Sequence, residues 1–264
     1  MGGAAGRYGH EDGRGSGGVR ERAGGHPGGP GRRLRRGLVA AATVLALGAG
    51  AAACGGSDSG DSGAGSGAAA VHTSPIAAEL AKLPAKVEGA RVVVGDPKAP
   101  HTAEVLVDPH CGYCALFEKA GGEALLQAAG KGRVKIEYVL ASFLDQGGSG
   151  SAKAVNALRA SVDRGRFAAY QAAVFASQPK GAFTEEHLLA VASAVPGLRG
   201  PEFDKAVREN AHGGWATRAE AEFEATGAQG TPLVLVDGKP AGTTDRSMFD
   251  KDAFAKTLAA AGIG

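Results

Sequence analysis

The chain has 264 residues with a formal net charge of +2, and 44% of its residues are hydrophobic. This length allows one large domain or two small ones, and the near balance of charge indicates no nucleic-acid partner. Its three cysteines are too few for a fold held together by disulfides.

Composition divides the N-terminal part of the chain into three stretches. Residues 1–31 form a prefix rich in glycine and arginine, residues 32–54 combine a basic cluster with an apolar run, and residues 55–74 are rich in Gly, Ser, Ala and Asp. A stretch of this last kind, without apolar periodicity, is typical of a flexible linker. We therefore expect the folded domain to cover residues 75–264.

The segment 32–54 has the pattern of an export signal. Its basic cluster is followed by an apolar run, 38–53, that is shorter than the roughly 20 residues of a spanning helix. It resembles a bacterial lipoprotein signal, in which the cysteine after the run becomes lipid-modified. That residue is Cys54 here, although Ala51 stands where such signals usually carry leucine. The alternatives are an ordinary cleaved signal and an uncleaved anchor. All three place the domain outside the cytoplasm, where disulfides persist.

Hydrophobic periodicity predicts alternating elements in the first half of the domain. They are a short helix at 76–83, strands at 92–94 and 103–107, a helix at 114–129 and a strand at 133–140. In the helix at 114–129 we expect one buried apolar stripe, made by Leu116, Phe117, Ala120, Ala124 and Leu125.

The second half of the domain is helical over a long stretch before strand signals return. Helices are predicted at 152–162, 166–177, 184–195, 202–209 and 215–225. A strand follows at 232–236, then an Asp-Gly turn, a return strand at 239–242 and an amphipathic helix at 251–261. This order suits an α/β sheet covered on both faces. We expect the helical block, about residues 148–228, to be inserted between the two halves of that sheet.

The motif Cys111-Gly112-Tyr113-Cys114 lies between the strand at 103–107 and the helix that follows. Free backbone N–H groups and the helix dipole at a helix N-terminus favour a thiolate, which makes the first cysteine reactive. The motif therefore indicates thiol–disulfide chemistry. The alternatives are a structural disulfide and half of a zinc site, although a zinc site needs two further ligands at suitable spacing. We expect neither a metal nor an organic cofactor.

With its flanking residues, this motif resembles the DsbA-like branch of the thioredoxin fold. The matching residues are 108–114 around the cysteines and Gly230-Thr231-Pro232 more than a hundred positions later. The lead-in at 95–100 and the helix at 166–175 are also similar to that family, and the resemblance covers roughly residues 88–262. It implies a thioredoxin-like fold with an inserted all-helical domain.

The resemblance also implies roles for the two cysteines. Cys111 forms the mixed disulfide with a substrate and Cys114 resolves it. Gly112 and Tyr113 lie between them and set the stability of the Cys111 thiolate. His110, when protonated, would add to that stability, or it faces solvent as an ordinary loop residue.

A second pair of site residues comes from the same resemblance. In that family the proline matching Pro232 follows a cis peptide bond and faces the two sulfurs. The polar backbone groups of Thr231 then pair with an extended substrate segment, as in strand addition. We therefore expect Thr231 and Pro232 to form the substrate-binding side of the site.

Two departures from the family leave the direction of electron flow open. Gly112-Tyr113 is the dipeptide of the DsbC-like isomerases rather than that of the most oxidising DsbA proteins. The family often has a buried acid six residues before the first cysteine, and Val105 occupies that position here. Glu104 is adjacent, but on a strand it points to the opposite face.

These observations predict an extracytoplasmic thiol–disulfide oxidoreductase anchored to the membrane by lipid, or alternatively secreted. Its expected partners are cysteine-containing exported proteins and a membrane redox partner, and we expect a monomer. A disulfide isomerase or reductase is the alternative within the same chemistry. A redox-inactive lipoprotein that serves as a binding module is the alternative outside it.

Overall fold

The computed structural model describes residues 70–264. The predictions for residues 1–69, including the export signal and Cys54, lie outside the described residues. Within residues 70–264, no helix has both the length and the apolar character needed to cross a bilayer. Near the start of this range, the His72 backbone N–H donates a hydrogen bond to Ser177 Oγ at 2.8 Å.

Six strands form one mixed sheet in the order β1-β2-β4-β3-β5-β6. Strands β3 and β4 are parallel, and the other neighbours are antiparallel. The strands are β1 (Ala85–Glu88), β2 (Arg91–Val94), β3 (His101–Val107), β4 (Val134–Leu140), β5 (Leu233–Val236) and β6 (Lys239–Pro240). The helices are α1 (Ala77–Leu80), α2 (Gly112–Phe117), α3 (Glu123–Gly130), α4 (Ser151–Asp163), α5 (Phe167–Ala176), α6 (Glu185–Ser193), α7 (Pro201–Arg208), α8 (Gly213–Ala225) and α9 (Lys251–Ala260).

Both faces of the sheet are covered, as the apolar runs of its central strands require. On β3, Val105 and Val107 belong to the main core, whereas Leu106 belongs to a second cluster on the other face. This division follows from the alternation of side chains along a strand. Phe223 of α8 closes the second cluster. The structure is thus the predicted α/β fold with helices on both faces of its sheet.

Five helices, α4 to α8, connect β4 to β5 and so lie within the span predicted for the helical block. The Phe, Tyr and Trp side chains of these helices are buried, and the polar atoms of Tyr170 and Trp215 are hydrogen-bonded. The Tyr170 hydroxyl donates to the Leu188 carbonyl at 2.9 Å, and the Trp215 indole N–H donates to the Gly89 carbonyl at 2.9 Å. The second bond links the helical block to the β1–β2 turn, and so to the edge of the sheet.

Three features differ from the sequence prediction. Strand β1 was not predicted, and it forms a hairpin with β2 through Gly89, whose φ is +60°. The helix predicted at 114–129 consists of α2, a π-helical turn at Glu118–Gly122, and α3. Leu116, predicted to be buried, is 54% exposed. The apolar stripe on a helix does not show how much of that stripe the neighbouring elements cover. In this structure the side of α2 that carries Leu116 is exposed to solvent.

Gly121, in the π-helical turn, allows the helix to approach the C-terminal part of the chain. A Cβ on Gly121 would lie 2.6 Å from the Met248 carbonyl oxygen and 2.9 Å from Phe254 Cδ1. We expect Gly121→Ala to lower the free energy of unfolding by about 1–3 kcal/mol, because overpacking forces the backbone to shift. Chemical denaturation measures this change.

Gly147→Ala is the matched control. A Cβ at Gly147 would meet no heavy atom within 4 Å, and an alanine restricts the unfolded chain, so its expected effect is neutral to about 1 kcal/mol stabilising. Equal losses in the two variants would contradict the close approach at Gly121.

Candidate active site

The two cysteines lie at the junction between β3 and α2. Cys111 is the N-cap residue of α2, and its carbonyl accepts the first helical hydrogen bond, from the Ala115 N–H at 3.2 Å. Its own N–H donates to the Asp108 carbonyl at 3.0 Å, which closes the turn out of the strand. Cys111 is half-buried and Cys114 is fully buried, and both are free thiols. The first sulfur is therefore the accessible one.

The two thiols have opposite electrostatic environments. A hydrogen bond from the Cys114 thiol is the main cause that lowers the pKa of Cys111 to about 6, and the backbone N–H groups of Cys114 and Tyr113 add to it. Partial burial opposes this shift. Burial raises the pKa of Cys114 far above its usual range, and the neighbouring Cys111 raises it further. At pH 7 the Cys111 thiol is therefore mostly ionised, while Cys114 keeps its proton.

Thr231 and Pro232 lie beside the cysteines, although 120 positions separate Thr231 from Cys111 in the sequence. The Thr231–Pro232 bond is cis, as predicted. Cys111 Sγ lies 3.4 Å from the Thr231 carbonyl oxygen, which accepts from the thiol when Cys111 is protonated. The Thr231 hydroxyl is buried beside the sulfurs and lowers the pKa of each, although it makes no well-aligned hydrogen bond within residues 70–264. The structure thus places Thr231 beside Cys111, as the family resemblance implied.

His110 binds the helical block through its ring. Its Nε2 lies 2.8 Å from the Gly181 carbonyl oxygen, and the ring packs edge-on against Phe183, with 5.7 Å between the centroids. From the same 177–183 loop, the side-chain amide of Gln178 donates to the carbonyls of Pro109 at 2.6 Å and Cys111 at 3.0 Å. The loop before α2 is therefore fixed by contacts from the inserted helices.

Asp108, which the sequence analysis did not single out, is the polar centre of this loop. Its Oδ1 accepts from the His110 N–H at 2.9 Å and the Ser151 hydroxyl at 2.6 Å, and its Oδ2 accepts from the Leu144 N–H at 3.1 Å. Burial raises the pKa of Asp108, and these hydrogen bonds oppose that rise. The carboxyl group ties the end of β3 to the β4–α4 connection.

A second buried acid, Glu118, lies one turn beyond Cys114, at the start of the π-helical turn that follows α2. It accepts one hydrogen bond, from the Gln171 side-chain amide at 3.0 Å, and its other oxygen has no partner among the described residues. Burial raises the pKa of Glu118 to about 8. Val105, six residues before Cys111, is buried, and Glu104 is paired with Arg91 at 3.1 Å. The i, i+4 spacing from Cys114 was the signal that could have indicated Glu118.

Apolar surface surrounds the accessible cysteine. Tyr113 is 57% exposed, and Leu116, one turn along α2, is similarly exposed. The Tyr113 ring packs against Phe249, with 5.9 Å between the centroids. Within residues 70–264, no group of three or more His, Cys, Asp or Glu side chains is arranged to hold a metal ion. The site therefore offers a stabilised thiolate next to a surface that an apolar segment can cover.

Comparisons with known proteins agree with this geometry. The family model described as "Thioredoxin" matches residues 87–251. Among solved structures, MdbA, a thiol-disulfide oxidoreductase from Corynebacterium matruchotii, is 21% identical, with a TM-score of 0.55 over 62% of this chain and 91% of that one. BdbD from Bacillus subtilis is 19% identical, with a TM-score of 0.54 over 75% and 100%. The disulfide bond oxidoreductase DsbG from Mycobacterium tuberculosis is 20% identical, with a TM-score of 0.52 over 66% and 87%. These structures share the fold of this chain.

One curated protein matches over a short segment. Hydroxyurea phosphotransferase of Kitasatospora aureofaciens is 67% identical over 30 residues, which are 11% of this chain and 9% of that protein. The chain thus matches less than a tenth of the length of this relative.

We expect the reduced protein to show a thiolate transition near pH 6. Thiolate absorbance at 240 nm, followed against pH, measures it. Cys114→Ala removes the main hydrogen bond to Cys111 and moves the midpoint toward the ordinary value of about 8.5. Cys111→Ser is the control and abolishes the transition. A midpoint near 8.5 in the unmodified protein would contradict the stabilised thiolate.

The Thr231 hydroxyl gives a second prediction. Thr231→Val keeps the branched shape but removes the donor that faces the sulfurs, so the Cys111 midpoint rises by roughly half to one pH unit. Thr244→Val changes an exposed hydroxyl elsewhere and leaves the midpoint unchanged. If both variants titrate like the unmodified protein, the Thr231 hydroxyl does not act on the thiolate.

Proposed function

The chain belongs to the thioredoxin family, and on this premise we propose that it is a thiol–disulfide oxidoreductase that exchanges disulfides with other proteins through Cys111 and Cys114. The observation that carries the proposal is the half-buried Cys111 with a pKa of about 6, paired with a buried Cys114 that stays protonated. The first thiol can react with a substrate, and the second is held back within the same turn. The oxidoreductase names of the structural relatives support this function.

The proposed reaction oxidises a pair of substrate cysteines by two electrons. A substrate thiolate attacks Cys111 Sγ in the Cys111–Cys114 disulfide, the enzyme S–S bond breaks, and Cys114 leaves and takes up a proton. The second substrate thiolate then attacks the substrate sulfur of the mixed disulfide. A substrate disulfide forms, and Cys111 leaves as a thiolate. A leaving thiol of low pKa departs faster, so the environment of Cys111 favours this last step.

The stabilised thiolate favours the direction of disulfide donation. A dithiol whose reduced form is stabilised is a stronger oxidant, because its disulfide is easier to reduce. The Gly112-Tyr113 dipeptide, shared with the isomerases, is the feature that favours an isomerase instead. The reduction potential distinguishes donors of disulfides from reductases.

We further propose an extracytoplasmic location, with a lipid anchor at Cys54. The support is the sequence pattern of residues 32–54 and the stability of disulfides outside the cytoplasm. The substrates in this proposal are exported proteins with cysteine pairs, and a membrane protein reoxidises the enzyme. Mass spectrometry of the mature N-terminus tests the anchor: a lipid-modified Cys54 is expected, and an unmodified N-terminus after Ala53 would indicate a secreted protein.

The reduction potential of the full-length protein, equilibrated in glutathione buffers, tests the function. A value from about −120 to −180 mV is expected of a disulfide donor, whereas a value near −270 mV, like that of thioredoxin, would indicate a reductase. Cys111→Ser should lose all exchange. Cys114→Ser should accumulate mixed disulfides with substrates, because the resolving thiol is missing. If Cys111 fails to equilibrate with glutathione, the chain is a redox-inactive binding module.

A further inference from the structure

The apolar surface of the folded body is concentrated beside the reactive cysteine. Among residues 70–264, the large apolar side chains that remain exposed are Val71, near the start of this part, and Tyr113 and Leu116 on α2. The last two are three residues apart and share one face of the helix. An exposed apolar strip at this place is suited to contact with a polypeptide segment.

A positive charge lies at one end of this strip. Tyr113 contacts Phe249 at a centroid separation of 5.9 Å, and the guanidinium carbon of Arg246 lies over the Phe249 ring, 5.4 Å from its centroid. A cation over an aromatic face is attracted to it. The three side chains therefore form a continuous row that leads from α2 to a charge; we call it the Tyr113–Phe249–Arg246 row.

The backbone fixes the place of Arg246 in this row. Its φ is +60°, a left-handed conformation, which the following turn maintains: the Phe249 N–H donates to the Arg246 carbonyl at 3.1 Å. The Ser247 N–H donates to the Asp245 carboxylate at 3.0 Å. The guanidinium thus projects from a tight turn rather than from a freely moving loop.

Among residues 70–264, the charge of Arg246 has no counter-ion. Within the part of the chain that the structure describes, no carboxylate lies within 4.0 Å of its guanidinium. The neighbouring acids have other contacts, since Asp245 accepts from Ser247 and Asp250 caps α9 by accepting from the Ala253 N–H at 2.7 Å. Neither acid pairs with the Arg246 guanidinium, which is exposed and therefore open to an anionic group.

We propose that Arg246 determines substrate specificity by binding an acidic side chain on the polypeptide segment that carries the reacting cysteine. This inference rests on the proposed exchange function. The apolar part of the segment covers Tyr113 and Phe249, and its carboxylate pairs with Arg246. An extended segment advances about 3.3 Å per residue, so the row places the acidic residue about three to five positions from the cysteine.

Arg246 touches neither sulfur, so the proposed effect is on recognition and not on the chemistry of the thiolate. An exposed ion pair gives a preference of about three- to fivefold, and it weakens as salt shortens the range of the charges. Charge reversal at Arg246 should change which peptides react fastest. It should leave the pH midpoint of Cys111 near 6.

The test compares pairs of two-cysteine peptides that differ by Glu or Gln at the third, fourth or fifth position from one cysteine, on either side. The full-length oxidised protein should oxidise a Glu peptide about three to five times faster than its Gln partner at low salt, and the difference should vanish in high salt. Arg246→Gln should abolish the preference and Arg246→Glu should invert it. In both variants the readout is the ratio of the Glu-peptide rate to the Gln-peptide rate, compared with that of the unmodified protein.

Arg218→Glu is the matched control, because Arg218 is exposed on α8, and it should keep the preference. Thermal unfolding verifies that each variant is folded. Equal rates for every peptide pair, or a preference that survives Arg246→Glu, would overturn the proposal while exchange itself stands. A different outcome is that the protein binds anionic vesicles, that Arg246→Glu abolishes this binding, and that no peptide preference is found. Arg246 would then bind a lipid surface, and the proposal would again be overturned. If no peptide is oxidised, it is the exchange function that fails.

Discussion

The antiparallel pairing of β3 with β5 is the constraint on which the site depends. Its register sets Leu106 opposite Leu233 and Val105 opposite Val234. The strand that leads to Cys111 and the strand that follows Pro232 thus run side by side. Thr231 reaches the sulfur of Cys111 because of this ladder, which the chain completes only after the whole helical block. The active site is consequently a long-range feature, and it forms only when the two halves of the sheet meet.

The helical block does more than fill the gap between the halves of the sheet. Through Gln178 and Gly181 it bonds the three residues of the Pro109–Cys111 loop, and through Ser151 it bonds the buried Asp108. Hydrogen bonds to buried polar groups contribute modestly when made but are costly to lose. Each of these contacts therefore specifies one position of the loop. The accessible cysteine is presented by a rigid scaffold rather than by a flexible loop.

Local signals explain what the sequence predicted, and tertiary placement explains what it did not. The cysteine pair, most of the helices of the block and the cis Thr231–Pro232 bond follow from short motifs, and the family match supports the thioredoxin fold. The burial of Asp108 and Glu118 depends on elements far away in the sequence. The local sequence around these two acids therefore did not indicate that they are buried. Leu116 fits an apolar stripe, yet no helix covers it. Strand β1 is short and weakly apolar, so its pairing with β2, rather than its composition, makes it a strand.

The opposite shifts of the two thiols follow from a single contact. The Cys114 thiol donates to Cys111, and this stabilises one sulfur as an anion while it keeps the proton on the other. If the two cysteines exchanged roles, Cys114 would have to become a buried thiolate, which burial disfavours. Attack at Cys111 and resolution by Cys114 are therefore ordered by electrostatics and not by access alone. Glu118, uncharged at pH 7 because burial raises its pKa to about 8, adds no negative charge that would oppose the Cys111 thiolate. The low pKa of Cys111 itself follows from the donors that face it, chiefly the Cys114 thiol.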